Sequence, residues 1–342
     1  MSAALLWATI GLAAVALLLV AMIVVKRALA DKRRRRDAKL RPEIELQLAE
    51  HLALDDPEPA PRPQSRAARR LLLVVALEAL GELRGAERQR VTELLEQSGT
   101  VADLKWRLLS RRWKRRLEAA EALTEVRSQG PIDALQVGLF DRKSTVRLTC
   151  ASALAELGEQ ESIPSVLAVT DEVAAEQPGA AAAILLALGR RAPLSLSTAL
   201  QPEYSPELSR LAASVIGELH ISEHAELLLE ALDSPDDELV ARAARGLGAI
   251  GDVDAVGRLL RLLEEPDRAW FVRLASVGAL GQIGDPTAVE ALERELYSEN
   301  WYLAEKSATA LRQLGAAGEA VLDRALGSHN LEARGHAVVA MQ

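Results

Sequence analysis

Groups able to do covalent or metal chemistry are few in this chain, and most sit where a structural role explains them. His220 and His224 lie four residues apart, a spacing that would set two imidazoles on one helical face as metal ligands. His220, however, takes a helix-ending position and Ile221-Ser222 reads as a turn, which breaks that geometry. The one cysteine, Cys150, stands among Leu148, Ala151 and Ala153, a setting for inert burial. Asp252 and Asp254 suit a turn and a helix start better than a catalytic pair. The chain has no Gly-rich phosphate loop with a following Lys-Ser or Lys-Thr, no His-Glu-x-x-His, no cysteine pair for zinc and no Gly-x-Ser-x-Gly elbow. The reading is of a protein with no catalytic residue, metal site or cofactor.

Two other groupings speak of binding. Residues 105–116, KWRLLSRRWKRR, hold seven basic side chains and two tryptophans. At a lipid headgroup an indole sits at the apolar boundary while a cation meets phosphate, so Trp106, Arg111, Arg112, Trp113, Lys114 and Arg115 are candidates for a membrane surface. The alternative is that Trp106, Leu109 and Trp113, at helical spacing, are core contacts under a solvated basic face. The second grouping is Trp270-Phe271-Val272-Arg273 and, 31 residues on, Trp301-Tyr302-Leu303-Ala304. Four of the ten aromatic residues fall there, which makes Trp270, Phe271, Arg273, Trp301 and Tyr302 candidates for partner binding.

The elements that position these residues repeat. VRLTCASALAELG (146–158), LSRLAASVIGELH (208–220), LVARAARGLGAIG (239–251), VRLASVGALGQIG (272–284) and LAEKSATALRQLG (303–315) align without gaps. The closing positions Arg127, Gly158, Gly189, His220, Gly251, Gly284 and Gly315 are 31, 31, 31, 31, 33 and 31 residues apart. Each unit has room for two helices of about twelve residues with tight turns, often Gly-Asp, between them. A helix pair cannot bury its apolar face alone, so the pairs must stack in line. Stacking predicts that Trp270 neighbours Trp301 and Phe271 neighbours Tyr302. Residues 331–342 match the first helix of a further unit, and its apolar Ala337, Val338, Val339 and Met341 are expected to be covered by a partner or a second copy.

The unit with Leu139, Asp141, Val146, Arg147, Ala151, Ala153, Leu154, Leu157, Gly158 and Ile163 resembles a bacterial HEAT-like repeat of the type also named after phycobilisome lyases. The resemblance covers about residues 113–342. It implies an Asp–Arg ladder, mapping here to Asp141, Arg147 and Arg273 and interrupted at Val240 and Ala304. The longer arrangement is similar to single-pass bacterial HEAT-repeat proteins often encoded beside a membrane glycosyltransferase. That similarity points to a protein–protein scaffold or adaptor for such an enzyme; the alternative, from the name some of these repeats carry, is a lyase-type enzyme related to bilin lyases.

At the other end, residues 1–25 carry no charge, long enough to cross a hydrocarbon core of about 30 Å. Lys26, Arg27, Lys32, Arg33, Arg34, Arg35, Arg36, Lys39 and Arg41 follow, with two aspartates. By the positive-inside rule the amino terminus faces out and the repeats face the cytoplasm, with the bilayer contacted through residues 4–25. A cleaved signal peptide would carry its positive charge before the apolar run, not after it. Residues 1–116 hold 23 basic and 14 acidic side chains and residues 117–342 hold 18 and 35, a bipolar chain whose acidic bulk repels nucleic acid. The expected organisation is all-α: a transmembrane helix (1–25), a basic juxtamembrane segment (26–54) with a short helix, a Pro-rich linker (55–66), an N-terminal helical cap (67–112) and a HEAT-like α-solenoid (113–342).

Overall fold

The computed structural model describes residues 2–53, 63, 65–126, 130 and 132–342, and for residues 2–20, 23, 29, 30 and 33 it describes the backbone alone. All regular elements among the described residues are helical. Contacts divide the chain into two units, Met1–Ala134 and Leu135–Gln342.

The first unit contains α1 (Ser2–Ala53), α2 (Arg66–Glu82), α3 (Gly85–Gln97), α4 (Thr100–Leu108) and α5 (Trp113–Val126). The juxtamembrane segment is not a separate short helix: α1 continues through Pro42 to Ala53 as one element of 52 residues. Ile44, Leu48 and His51, at i, i+4 and i+7, are its buried face, while Leu46 is exposed. Asp37 pairs with Arg70 and Arg41 with Glu78, so α1 and α2 run in the same direction. Arg90 of α3 donates to the Leu52 carbonyl at 2.8 Å. Among the described residues no helix is long and apolar enough to cross a membrane. The side chains of residues 2–20, the bulk of the expected span, lie outside that description. Of the linker, residues 55–62 and 64 lie outside it too; α2 starts at Arg66, with the Ser65 hydroxyl capping the Ala68 amide at 3.1 Å.

α6 (Ile132–Gly138) begins in the first unit and ends in the second. The second unit then alternates first helices α7 (Ser144–Leu157), α9 (Pro178–Arg191), α11 (Pro206–Glu218), α13 (Asp237–Ile250), α15 (Trp270–Ile283), α17 (Trp301–Gln313) and α19 (Leu331–Met341) with second helices α8 (Ile163–Ala174), α10 (Leu194–Ala199), α12 (Ala225–Ala231), α14 (Val256–Glu264), α16 (Val289–Leu296) and α18 (Ala316–Leu326). Each first helix packs on the next, and the second helices form the other layer. Leu167, Leu185, Leu208, Leu247, Leu280 and Leu311 are fully buried between them. Burying each such side chain is worth roughly 1.5–3 kcal/mol.

The Gly-Asp punctuation does two jobs. Gly251 and Gly284 take φ +79° and end a helix in the left-handed conformation, and the following Asp252 and Asp285 accept from the amides of Asp254 and Thr287 at 2.8 Å. Those aspartates start the three-residue 3-10 turns Val253–Ala255 and Pro286–Ala288 ahead of α14 and α16; α12, α14 and α16 have seven, nine and eight residues rather than twelve. Gly189 does not close a helix; it lies buried inside α9, where an added Cβ would stand 2.6 Å from Leu219 Cδ1. Arg127 lies outside the described residues.

Candidate interaction surface

The aromatic candidates lie at the starts of adjacent first helices. Asn300 caps α17, its Oδ1 accepting from the amides of Tyr302 and Leu303 at 3.0 and 3.4 Å, and this fixes Trp301 and Tyr302 as the first helical residues. Trp270 starts α15 without a side-chain cap of its own. Instead Asp237 of the preceding repeat accepts from the Ala269 amide at 3.0 Å and from Arg268 at 2.9 Å, while Arg268 also donates to the Ser234 carbonyl at 2.8 Å. Hydrogen bonds to Asp237 and then Glu265 hold the Arg268 guanidinium above its ordinary pKa.

The expected pairing of Trp270 with Trp301 and Phe271 with Tyr302 is replaced by a ladder one residue out of step. Trp270 stacks on Tyr302, centroids 5.8 Å apart and planes 29° apart. Phe271 meets Trp270 edge-on at 6.3 Å, Trp301 meets Tyr302 edge-on at 5.4 Å, and His336 of α19 meets Trp301 at 5.4 Å. Trp270, Trp301 and Tyr302 remain 49%, 52% and 58% exposed. Rings from three successive repeats thus connect, with Trp270, Trp301 and Tyr302 exposed and His336 buried. His336 was not legible as the last rung, since only the fold places residue 336 beside residue 301.

Arg273 does not belong to this surface. Its Nη2 donates to both carboxylate oxygens of Glu295 on α16, at 2.6 and 2.8 Å, and Glu295 is buried. The Asp141–Arg147 ladder is also not formed as expected. Arg147 donates to the backbone carbonyl of Asp141 at 2.9 Å and pairs with Glu172. Repeats are instead cross-linked by Arg210 on Asp236 through two hydrogen bonds of 2.7 and 3.0 Å, by Arg268 on Asp237, and by Arg324 on Glu293.

The two histidines are occupied separately. His220 holds φ +51° at its helix-ending position and its Nδ1 meets the Ala249 carbonyl at 2.8 Å. Buried His224 closes a 3-10 turn with Nε2 on the Pro193 carbonyl at 2.8 Å. Among the described residues there is no cluster of three metal-ligating side chains. Cys150 is fully buried, and burial first, then Asp141, pushes its thiol up to about 12.

In the first unit the core reading of Trp106, Leu109 and Trp113 fails. Trp106 is 75% and Leu109 57% exposed, and Trp113 is exposed with Lys114 Nζ 5.8 Å from its ring centroid. α4 packs on α5, and the residues these helices bury include Leu104, Leu108, Ala119 and Leu123 instead. Arg111, Arg112, Lys114 and Arg115 are exposed, as are Lys26, Arg27, Arg34, Arg35 and Arg36, while the Arg33 side chain lies outside the description.

In sequence, the HEAT repeats family matches residues 101–191, 193–270 and 225–312. The chain belongs to the HEAT-repeat family. The HEAT match begins within α4, twelve residues before the boundary expected at residue 113. No curated protein matches the chain. Among solved structures, Kap121p bound to Pho4p is similar to it with TM-score 0.52 and 13% identity, over 86% of this chain and 40% of that one. Kap95p, in a structure describing its binding to RanGDP, matches with TM-score 0.50 and 14% identity, over 90% of this chain and 52% of that one. The chain spans about half the length of these two proteins or less, and the likeness is one of fold. The complex of CpcE and CpcF of phycocyanin lyase from Nostoc matches with TM-score 0.31 and 20% identity, over 70% of this chain and 93% of that one.

Proposed function

We propose that the protein is a membrane-tethered scaffold whose HEAT repeats dock a protein partner through the aromatic strip, without catalysis of its own. The observation that carries this reading is the exposure of Trp270, Tyr302 and Trp301 in one connected strip over adjacent repeats. Solenoids of stacked helix pairs offer extended surfaces for partners, and Trp and Tyr dominate binding hot spots. The uncharged run of residues 1–25 followed by basic residues supports a single span in the cytoplasmic membrane, amino terminus outside and repeats inside. Confinement to one membrane raises the effective concentration of a membrane-borne partner, so a modest contact suffices. A membrane glycosyltransferase is the partner class the family resemblance suggests. The bilin-lyase alternative rests on resemblance alone.

The test is affinity purification of the full-length protein in mild detergent, beside a variant lacking residues 1–30 and the triple variant Trp270→Ala, Tyr302→Ala, Trp301→Ala. An integral membrane protein recovered with the full-length chain and lost with the triple variant is the expected result. Recovery of the same partners by the triple variant overturns the assignment of the strip.

A further inference from the structure

The corner between α4 and α5 has a composition that protein folding alone does not call for. Trp106 on the last turns of α4, Leu109 in the turn and Trp113 at the start of α5 are all exposed. Arg107, Arg111, Arg112, Lys114 and Arg115 surround them, and none has a carboxylate within ion-pair distance among the described residues. Lys105, by contrast, is tied to the Gly130 carbonyl at 2.9 Å and to Asp133. Apolar groups and unpaired cations therefore share one surface, where water alone would favour burying the first.

An independent observation places this corner. Arg69 and Arg70, consecutive residues near the start of α2, hold Asp103 of α4 (3.1 Å) and Asp37 of α1 respectively. Asp37 directly follows the basic stretch that contains exposed Arg34, Arg35 and Arg36, and Trp106 follows Asp103 by three residues, about 4.5 Å of helix rise. The corner and the basic stretch beyond the apolar run thus lie at the same end of α2.

We infer that the α4–α5 corner is a second lipid-binding site, in which Trp106, Leu109 and Trp113 enter the headgroup–acyl boundary of an anionic bilayer and the surrounding arginines and Lys114 engage headgroup phosphate. Indole rings prefer that boundary, and long cationic side chains reach from it to phosphate. A nucleic acid would meet the same cations, but the chain as a whole carries net charge −8 and its repeats are acidic. The inference extends the tethered reading from the apolar run to the folded part of the chain, and it is tested separately from that run.

The experiment uses the full-length protein with Leu109→Cys carrying an environment-sensitive fluorophore; Cys150 is buried and does not compete for the label. Val253→Cys, at an exposed position of the second unit, is the control. Each is reconstituted into nanodiscs of phosphatidylcholine alone or mixed with phosphatidylglycerol. The expected result is a blue shift at position 109, absent at 253, that appears with phosphatidylglycerol, disappears in high salt and is lost in Arg111→Glu, Arg112→Glu, Arg115→Glu, a variant changed only at exposed residues. Identical emission of position 109 in both lipid mixtures overturns the inference, as does a shift given by a single-stranded oligonucleotide and not by lipid. Failure of the chain to enter neutral nanodiscs counts against the apolar run as a span. In that case the same fluorophore is read on preformed anionic vesicles, where a shift supports the corner and its absence overturns it.

Discussion

Gly217 and Gly246 let the backbones of α11 and α13 meet. A Cβ built on Gly217 would stand 2.5 Å from Gly246 Cα, 3.4 Å from its nitrogen and 3.6 Å from its carbonyl carbon. Comfortable carbon–carbon contact is about 3.5–4.0 Å, so Gly217→Ala forces the helices about 1 Å apart at this point. No flexible side chain can yield there, because the opposing atom is backbone. Overpacking of this kind costs typically about 1–3 kcal/mol, while replacing a helical glycine by alanine returns up to about 1 kcal/mol. Gly217 lies next to the end of α11, where the propensity gain is smallest, so a net loss of about 1–2 kcal/mol is expected. For a unit of this size that lowers the melting temperature by about 2–8 °C. The matched control is Gly335→Ala in α19, exposed and with no heavy atom within 4 Å of the new Cβ, where the same substitution should raise stability. Thermal unfolding of the full-length variants, followed by circular dichroism in detergent, reads both. A Gly217→Ala protein that melts at or above the parent refutes the backbone-contact argument. The same contact recurs at Gly248 against Ala279 (2.6 Å) and at Gly281 against Ala310 (2.7 Å).

Three further outcomes are expected. Burial alone would raise the Asp236 carboxyl, but the hydrogen bonds and charge of Arg210, with the Leu239 and Glu238 amides, hold it below its ordinary value. Its contribution is therefore complete above the unfolded carboxylate range near about 3.9 and is lost as pH falls through the lower folded value. Asp236→Asn should be less stable at neutral pH, with the gap to the parent closing in strong acid; a gap independent of pH would show that the ion pair does not contribute. With its thiol buried and pushed up to about 12, Cys150 should react with a thiol reagent at mildly alkaline pH only as fast as the protein unfolds, and rapid labelling of the native chain contradicts its burial. Asn300→Ala removes the cap on the Tyr302 and Leu303 amides and should cost about 1 kcal/mol, with altered indole fluorescence from Trp301; unchanged melting and emission would remove the cap from the account.

The repeat was legible in the sequence because it is a local rule written many times over. Apolar spacing sets the buried face of each helix, a glycine that can take positive φ ends it, and an aspartate starts the next turn. Leu154, Leu247 and Leu280 are buried where that spacing puts them. The burial of Cys150 was legible for the same reason, since its neighbours on the helix are small and apolar. The 31-residue spacing also located the aromatic strip, though not its register.

What escaped the sequence depends on which helix covers which. The shift that brings Trp270 onto Tyr302 is a matter of how α15 and α17 lie against each other, helices that approach closely at Gly281 and Ala310. Trp106, Leu109 and Trp113 have the spacing of a core face, but burial needs a second surface, and α4 and α5 spend theirs on Leu104, Leu108, Ala119 and Leu123. The true cross-links, Arg210 on Asp236 and Arg268 on Asp237, join residues 26 and 31 positions apart, beyond any helical period. Composition and periodicity determined the elements and their inward faces, because those are set by neighbours three and four residues away. Tertiary structure alone decided which outward residues meet and which stay open, because exposure is a property of the partner helix and not of the residue.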